Sequence, residues 1–386
     1  MRPSFKHSSL RLAVPDFNSP LTDLIIELDY LRKKQLGGTT TPAVFFQLKQ
    51  IFHTLESIYS ARIEGNNTTI AEYIETKLSE ETPPNKNIQE ILNMEQAMAF
   101  IDEHIKDVFF NRAFVSELHK KVVDQLHPSP DGEGDKTPGV YRTVAVNIAR
   151  SNHKPPEPIQ VTNYMDELFA FISHDDAPKF DLLKIAIAHH RFMWIHPFSN
   201  GNGRTGRLFT YAMLVKLGFH VDVGRILNPT AIFCNNRQKY YQFLSLADSG
   251  KDDDILRWCE YVLAGLKDEI EKIDRLLDYK YLRSEILLPA ISHSHERKLI
   301  TDVETKILKK AVDKQVIQSS DIKEFFIGKA SSEISRNISR LRDKKMLMPI
   351  EEGTRKYVIR FDNSFLLRGI IKMLGEKSFI AIKEGD

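Results

Sequence analysis

The chain predicts a mainly α-helical protein. Three observations carry that expectation. Apolar residues recur at helical spacing over most of the 386 residues, strand character is confined to two short stretches, and proline and glycine fall between the periodic runs. The length predicts two or three units. With 42% hydrophobic and 27% charged residues, the composition is that of an ordinary globular protein. A net charge of +2 argues against wholesale nucleic-acid binding and leaves a local basic patch open. Cys234 and Cys259 are too few for a disulfide framework or a structural zinc site and suit a reducing, cytoplasmic setting. Met1 to Pro20 lacks a signal-length apolar core, and no run reaches membrane-span length, so no membrane partner is expected.

Residues 1–40 read as an N-terminal arm with one apolar stretch, Leu21 to Leu31, suited to a short helix or strand. Thr41-Pro42 supplies an N-cap with proline at the first helical position, and Val44, Phe45, Leu48, Ile51, Phe52, Leu55, Ile58 and Tyr59 continue a helical stripe. That helix ends at Glu64-Gly65, where an acid is mildly at odds with the helix dipole. Thr69 to Glu80 is helical in outline and Pro83-Pro84 breaks it. Asn85 to Ile105 and Arg112 to Leu126 follow as core-facing helices, and 128–135 is a loop by composition. Val140 to Ile148 is rich in β-branched residues and alternates in part, so it predicts a strand, followed by a turn-rich segment from Ser151 to Pro156. Val161 to Ser173, Asp181 to Ile195, Arg204 to Leu217 and Pro229 to Ala247 are the next helices. Asp252 to Asp254 cap a further one that continues from Ile255 to Leu288. His189 and His190 are adjacent and lack an i,i+4 partner, which suits packing better than metal binding.

The stretch His196-Pro197-Phe198-Ser199-Asn200-Gly201-Asn202-Gly203-Arg204-Thr205-Gly206-Arg207 joins two of these helices. Pro197 pushes its predecessor out of the α region and ends the first. Glycines let backbone approach a ligand, and the start of the second helix presents unpaired N–H groups and a positive dipole end. That is an anion cradle. Arg204 and Arg207, three apart, share a helix face and can both reach a polyphosphate, and His196 stands just ahead as a base. A Walker-type loop is set aside, because the Gly-Lys-[Ser/Thr] ending is missing and a helix precedes the turn.

On these residues the chain resembles Fic-domain proteins, whose signature is His-Pro-Phe-x-[Asp/Glu]-Gly-Asn-Gly-Arg-x-x-Arg. It departs at Asn200, where the family has an acid. The resemblance implies a Fic-type helical core with a β-hairpin flap. It also implies protein adenylyl transfer: His196 as catalytic base, ATP held by Asn200, Gly201, Asn202, Gly203, Arg204, Thr205, Gly206 and Arg207, and Phe198 as a buried anchor of the loop. Mg²⁺ would bridge phosphates with weak help from Asn200, since an amide oxygen brings no negative charge. Tyr240 and Tyr241 match a pair that borders the nucleotide, with Asp248 a lesser candidate, and an ordinary core role for the tyrosines stays open. Ser151, Asn152 and His153 match the flap that docks a target segment by strand addition, a solvent hairpin being the alternative. Ser60 to Gly65 is similar to the family's inhibitory motif, in which Glu64, one helix face from Ser60, would pair with Arg207 and block the γ-phosphate.

Beyond a linker at 289–300, three helical patterns (Glu304 to Lys314, Ser320 to Phe326, Ser331 to Lys344) and a strand–turn–strand outline from Leu347 to Phe361 resemble a winged-helix unit. Arg336, Arg340, Arg342 and Lys344 are outward or flanking, Glu333 and Asp343 dilute them, and a protein-interaction role is favoured over DNA contact. The expected organisation is an arm at 1–40, a helical region with the inhibitory motif at 41–110, a catalytic core at 111–288, the linker, a winged-helix-like domain at 301–365 and a tail at 366–386. The expected partners are target proteins bearing Ser, Thr or Tyr hydroxyls, and a second copy of the chain in a homodimer. AMP removal by the same fold and a nucleotide-sensing DNA-binding regulator are the alternative functions.

Overall fold

The computed structural model describes residues 5–33, 39–78, 85–148, 151–219, 232–233 and 236–380. Cys234, Asn235, the Pro83-Pro84 break and residues 229–231 of one expected helix lie outside them. Two units result, one of residues 1–35, 56–68 and 83–270, the other of 36–55, 69–82 and 271–386.

In the first unit the apolar stretch of the arm is a helix, α1 (Pro20–Lys33), whose Leu21, Ile25 and Leu28 are buried. The second half of α2 (Pro42–Glu64) also belongs here. α4 (Lys86–His104) starts where Asn85 accepts from the N–H groups of Asn87 and Ile88, and α5 (Arg112–Val123) where Asn111 accepts from Phe114. α6 (Val161–Ser173) and α7 (Asp181–Ile195) have the limits the sequence predicts. α8 (Asn202–Lys216), α9 (Arg237–Ala247) and most of α10 (Asp252–Leu277) complete the unit. α7 and α8 are buried on nearly every side, as suits helices central to a bundle. α7 packs on α6 and α8, and α4 and α5 pack on α8. Phe192, Phe198, Phe209 and Trp258 are almost fully removed from water, each worth about 1.5–3 kcal/mol. This packing fixes the turn between α7 and α8, on which the site is built.

The strand expected from Val140 to Ile148 is not formed, and no hairpin flap exists among the described residues. The segment has no regular secondary structure, and its bonds run elsewhere. Arg142 N–H donates to Pro197 O at 2.8 Å. The Arg142 guanidinium donates to His196 O (2.8 Å), Pro156 O (2.6 Å), Val144 O (3.2 Å) and Ile195 O (3.3 Å). Carbonyls at the end of α7 thus take the place of a partner strand.

In the second unit, α3 spans Ile70–Leu78, and residues 79 and 80 of the Thr69 to Glu80 outline lie outside the described residues. The segment expected as a linker is helical: after a turn at Tyr279–Tyr281 and a π-helical stretch at Leu282–Leu287, α11 (Leu288–Glu296) buries Ala290, Ile291 and Ser294. Pro289, which has no N–H to donate, follows directly on the π-helical stretch, and the helical run continues through it. α12 (Asp302–Lys314) opens with a capping box of Thr301 and Glu304, a 3₁₀ segment covers Ser319–Phe326, and α13 (Ser331–Asp343) buries Ile334, Ile338 and Leu341. β1 (Leu347–Pro349) and β2 (Tyr357–Ile359) pair antiparallel, Met348 opposite Val358, the one sheet of named strands among the described residues. The stretch expected as a tail carries α14 (Leu367–Glu376), whose Ile370, Ile371, Met373 and Leu374 are buried.

Candidate active site

The turn between α7 and α8 is set by two left-handed residues. His196, at φ 53° and ψ 63°, ends α7, and Gly201, at φ 71°, precedes α8. A non-glycine residue in that region is held there by its surroundings. The Arg142 guanidinium grips the His196 carbonyl, and Asn202 closes the loop by accepting from Phe198 N–H (2.8 Å) and donating to Phe198 O (2.9 Å). Phe198 is buried, with its ring flat on His119 at 3.7 Å between centroids. Gly139 N–H donates to His119 Nδ1, so that ring carries its proton on Nε2 and donates it to Asn200 O at 3.0 Å. Burial lowers the His119 imidazole to about 4, which keeps this arrangement neutral.

A cavity of about 510 Å³ opens on the turn, lined among others by Glu64, His196, Asn200, Gly203, Arg204, Arg207, Tyr240 and Tyr241. His196 Nδ1 lies 3.2 Å from Met193 O. Only a protonated Nδ1 can bond a carbonyl, so the Nε2 lone pair is free to accept a proton. Burial lowers this imidazole from 6.5 to about 4, with Arg142 and His153 adding to burial while the Met193 bond and Glu64 oppose it. A histidine at its ordinary 6.5 is mostly neutral at pH 7, and enclosure by α7 and Arg142 keeps this one neutral well below that.

Glu64 Oε1 accepts from Arg207 Nη2 at 2.8 Å. Arg207 also donates from Nε to Ser60 Oγ (2.9 Å) and from Nη2 to Ser60 O (3.0 Å). The carboxylate lies over Gly203, where a methyl group would come within 2.0 Å of Oε1, so only glycine allows this approach. An internal anion therefore sits at the start of α8, where unpaired N–H groups and the dipole favour negative charge. Burial would raise the Glu64 carboxyl, but Arg207, Arg204 and His196 outweigh it and hold the group below its ordinary value.

Other expected site residues are placed differently. Arg204 turns away from Arg207 into an ion pair with Glu90 at 3.0 Å and donates to Glu133 O at 2.7 Å. Shared phase on a helix brought both arginines to one cavity but not to one partner. Thr205 bonds back to Gly201 O, Gly206 packs on Phe192 and Met193, and neither lines the cavity. Tyr240 is buried with its hydroxyl 3.0 Å from His189 Nε2, and Tyr241 is partly exposed under Arg237. Asp248 bonds His190 at 3.0 Å and does not reach the cavity. Ser151 and Asn152 also lie off it, and His153 turns inward to Trp194 O at 2.8 Å. Asn200 spends its amide on backbone, donating to Gly134 O (3.2 Å) and accepting from Gly201 N–H (2.8 Å). Among the described residues no cluster of three or more His, Cys, Asp or Glu could hold a metal. The donor set, with the Asn200 amide taken up by backbone, does not fit a protein-held cation. Sequence reasoning missed Glu90, Glu133, His119 and Arg142. Each reaches the site from a distant segment and carries no local pattern.

The Fic/DOC family model matches residues 109–214, which span α5 to α8 and the whole turn. The chain carries a Fic/DOC domain. It is 30% identical over 203 residues to the "Protein adenylyltransferase Fic" of Aedes aegypti, covering 51% of this chain and 37% of that protein. It is 27% identical over 284 residues to the protein of the same name from Nematostella vectensis, covering 70% and 59%. The chain therefore spans 37% and 59% of the length of these two curated relatives, less than two thirds of either. In fold it is similar to a Fic family protein from Desulfovibrio desulfuricans G20, at a TM-score of 0.55 and 20% identity, covering 91% of this chain and 98% of that one. A Fic domain containing signaling protein from Bacteroides thetaiotaomicron VPI-5482 is similar at a TM-score of 0.52 and 17% identity, covering 66% and 97%.

Proposed function

We propose that this protein is a self-inhibited protein adenylyltransferase, which transfers AMP from ATP to a hydroxyl side chain of a target protein. The observation that carries the reading is the Glu64 carboxylate on Arg207 at the start of α8, beside a histidine with a bare Nε2. The hydroxyl oxygen attacks the α-phosphorus, the bond from that phosphorus to the α,β-bridging oxygen breaks, pyrophosphate leaves, and Nε2 of His196 takes the hydroxyl proton. Arg207, once free of Glu64, and the N–H groups at the start of α8 stabilise the charge gathering on the leaving group. Tyr240 and Tyr241 flank the space an adenosine would take. Mg²⁺ arrives, in this reading, with the triphosphate as part of the substrate.

The experiment is incubation of cell lysate with α-labelled ATP and the parent, Glu64→Gly or His196→Ala protein. Label on protein should be faint with the parent, strong with Glu64→Gly and absent with His196→Ala. Equal labelling by parent and Glu64→Gly sinks self-inhibition. Label removed from a pre-modified target by the parent, but not by Glu64→Gly, favours AMP removal with Glu64 orienting water. For the second unit, the buried Ile334, Ile338 and Leu341 of α13 leave a charged outer face that supports protein contact over DNA. A gel shift with genomic fragments, with and without ATP, tests the DNA alternative.

A further inference from the structure

We propose that Asn66 and Glu90 form a latch that holds the end of α2, and with it the Glu64 carboxylate, against the signature turn. The inference rests on the adenylyl-transfer reading and adds the means by which inhibition is maintained.

α2 stops at Glu64, and Gly65 at φ 116° turns the chain. Two residues past the inhibitory acid, the buried Asn66 side chain makes three hydrogen bonds. Nδ2 donates to Glu90 Oε2 at 2.7 Å and to Asn87 O at 2.9 Å, and Oδ1 accepts from Thr68 N–H at 2.9 Å. The end of α2 is thereby stitched to the first turns of α4. Glu90 is 3% exposed, and its other oxygen lies 3.0 Å from Arg204 Nη1. The inhibitory segment is thus tethered to α8 by two routes, directly through Arg207 with Glu64 and Ser60, and indirectly through Asn66, Glu90 and Arg204.

Burial raises the Glu90 carboxyl, with Glu133 and Glu64 pushing the same way, against Arg204 and Asn66. A carboxylate in that position depends on both partners, because a buried acid that loses a hydrogen-bond donor bears the full cost of desolvation. Neither Asn66 nor Glu90 lines the main cavity. Both border an adjoining one of about 340 Å³ that shares Glu64, Gly65, Ser129, Glu133 and Asn200 with it. They are positioning residues: they act on inhibition through Glu64 and Arg204 and touch no reacting atom.

The test uses the full chain and two readouts. Backbone amide exchange over residues 60–68 measures the tether without activity, and transfer of label from α-labelled ATP measures its consequence. Asn66→Ala should speed exchange across 60–68 and raise labelling about tenfold over the parent. The isosteric Asn66→Asp should do the same by setting a second carboxylate against Glu90. Adding Glu90→Gln to Asn66→Asp restores the bond between the two side chains with roles reversed but not the one to Asn87 O, so exchange should slow part of the way back to the parent and labelling fall. A structural defect alone would not be repaired by that exchange of groups. Unchanged exchange in both single variants overturns the latch, as does fast exchange that the double variant fails to slow. If Glu64→Gly itself transfers no label, the adenylyl-transfer reading fails, and exchange alone then decides the latch.

Discussion

Replacing Glu64 with Gln keeps the shape of the inhibitory side chain and removes its charge. In the parent, Arg207 is 1% exposed and the Glu64 side chain 28% exposed, with 2.8 Å between them. Hydrogen bonds to charged groups contribute about 1.5–3 kcal/mol, and exposure of the acid argues for the lower end of that range. A weakening of about 1.4 kcal/mol is tenfold in an equilibrium. Arg207 stays oriented, because both its bonds to Ser60 are independent of Glu64. At ATP well below saturation the rate of label transfer follows the fraction of protein whose arginine is free, so Glu64→Gln should label about tenfold faster than the parent. Glu64→Gly, with no side chain over Gly203, should be faster still. The assay is initial-rate incorporation of label with protein held constant. A Gln variant no faster than the parent, beside an active Gly variant, would refute the charge argument and leave simple obstruction as the cause.

Four further outcomes follow from the same geometry. In the Glu64→Gly background, His196→Ala should cut transfer by roughly 10²- to 10⁴-fold, measured by the same label. Because the folded imidazole is held at about 4 against an ordinary 6.5, transfer should stay flat from pH 7 down to about 5, and an acid limb at 6.5 would contradict the enclosure. The folded Glu64 value is depressed, so its pair with Arg207 stabilises above the ordinary 4.5 and loses that contribution as pH falls through the folded value; thermal denaturation of parent minus Glu64→Gln between pH 6 and 3 should show the gap closing. Asn200→Asp should lose the bond to Gly134 O and set an acid near Asp135, lowering stability by about 1 kcal/mol in chelator. Mg-ATP calorimetry showing tighter metal-dependent binding in that variant would restore Asn200 as a ligand position.

Helix existence and most limits were legible in the chain, because apolar spacing acts locally: α6 and α7 match their expected bounds, and α4 begins one residue past the expected Asn85. The signature turn was legible for the same reason, since Pro197 and Gly201 impose their backbone on any fold that contains them. Local pattern misled where distant groups supply the bonds. The β-branched run from Val140 has no strand partner among the described residues, because Arg142 turns its donors to the end of α7, and Pro289 lies within a helical run instead of marking a linker.

By itself, then, the sequence determined a helical protein with a histidine ahead of an anion cradle, and an acid upstream spaced with Ser60 on one helix face. The family resemblance, not any local pattern, pointed Glu64 to Arg207, and it is packing that brings the two together across 143 positions of chain; that Glu90 draws Arg204 aside was decided by tertiary structure alone. Burial by α7 and Arg142 sets the protonation of His196. The physical reason is that backbone preference is a property of neighbours in sequence, whereas ion pairing and desolvation depend on which surfaces packing brings together.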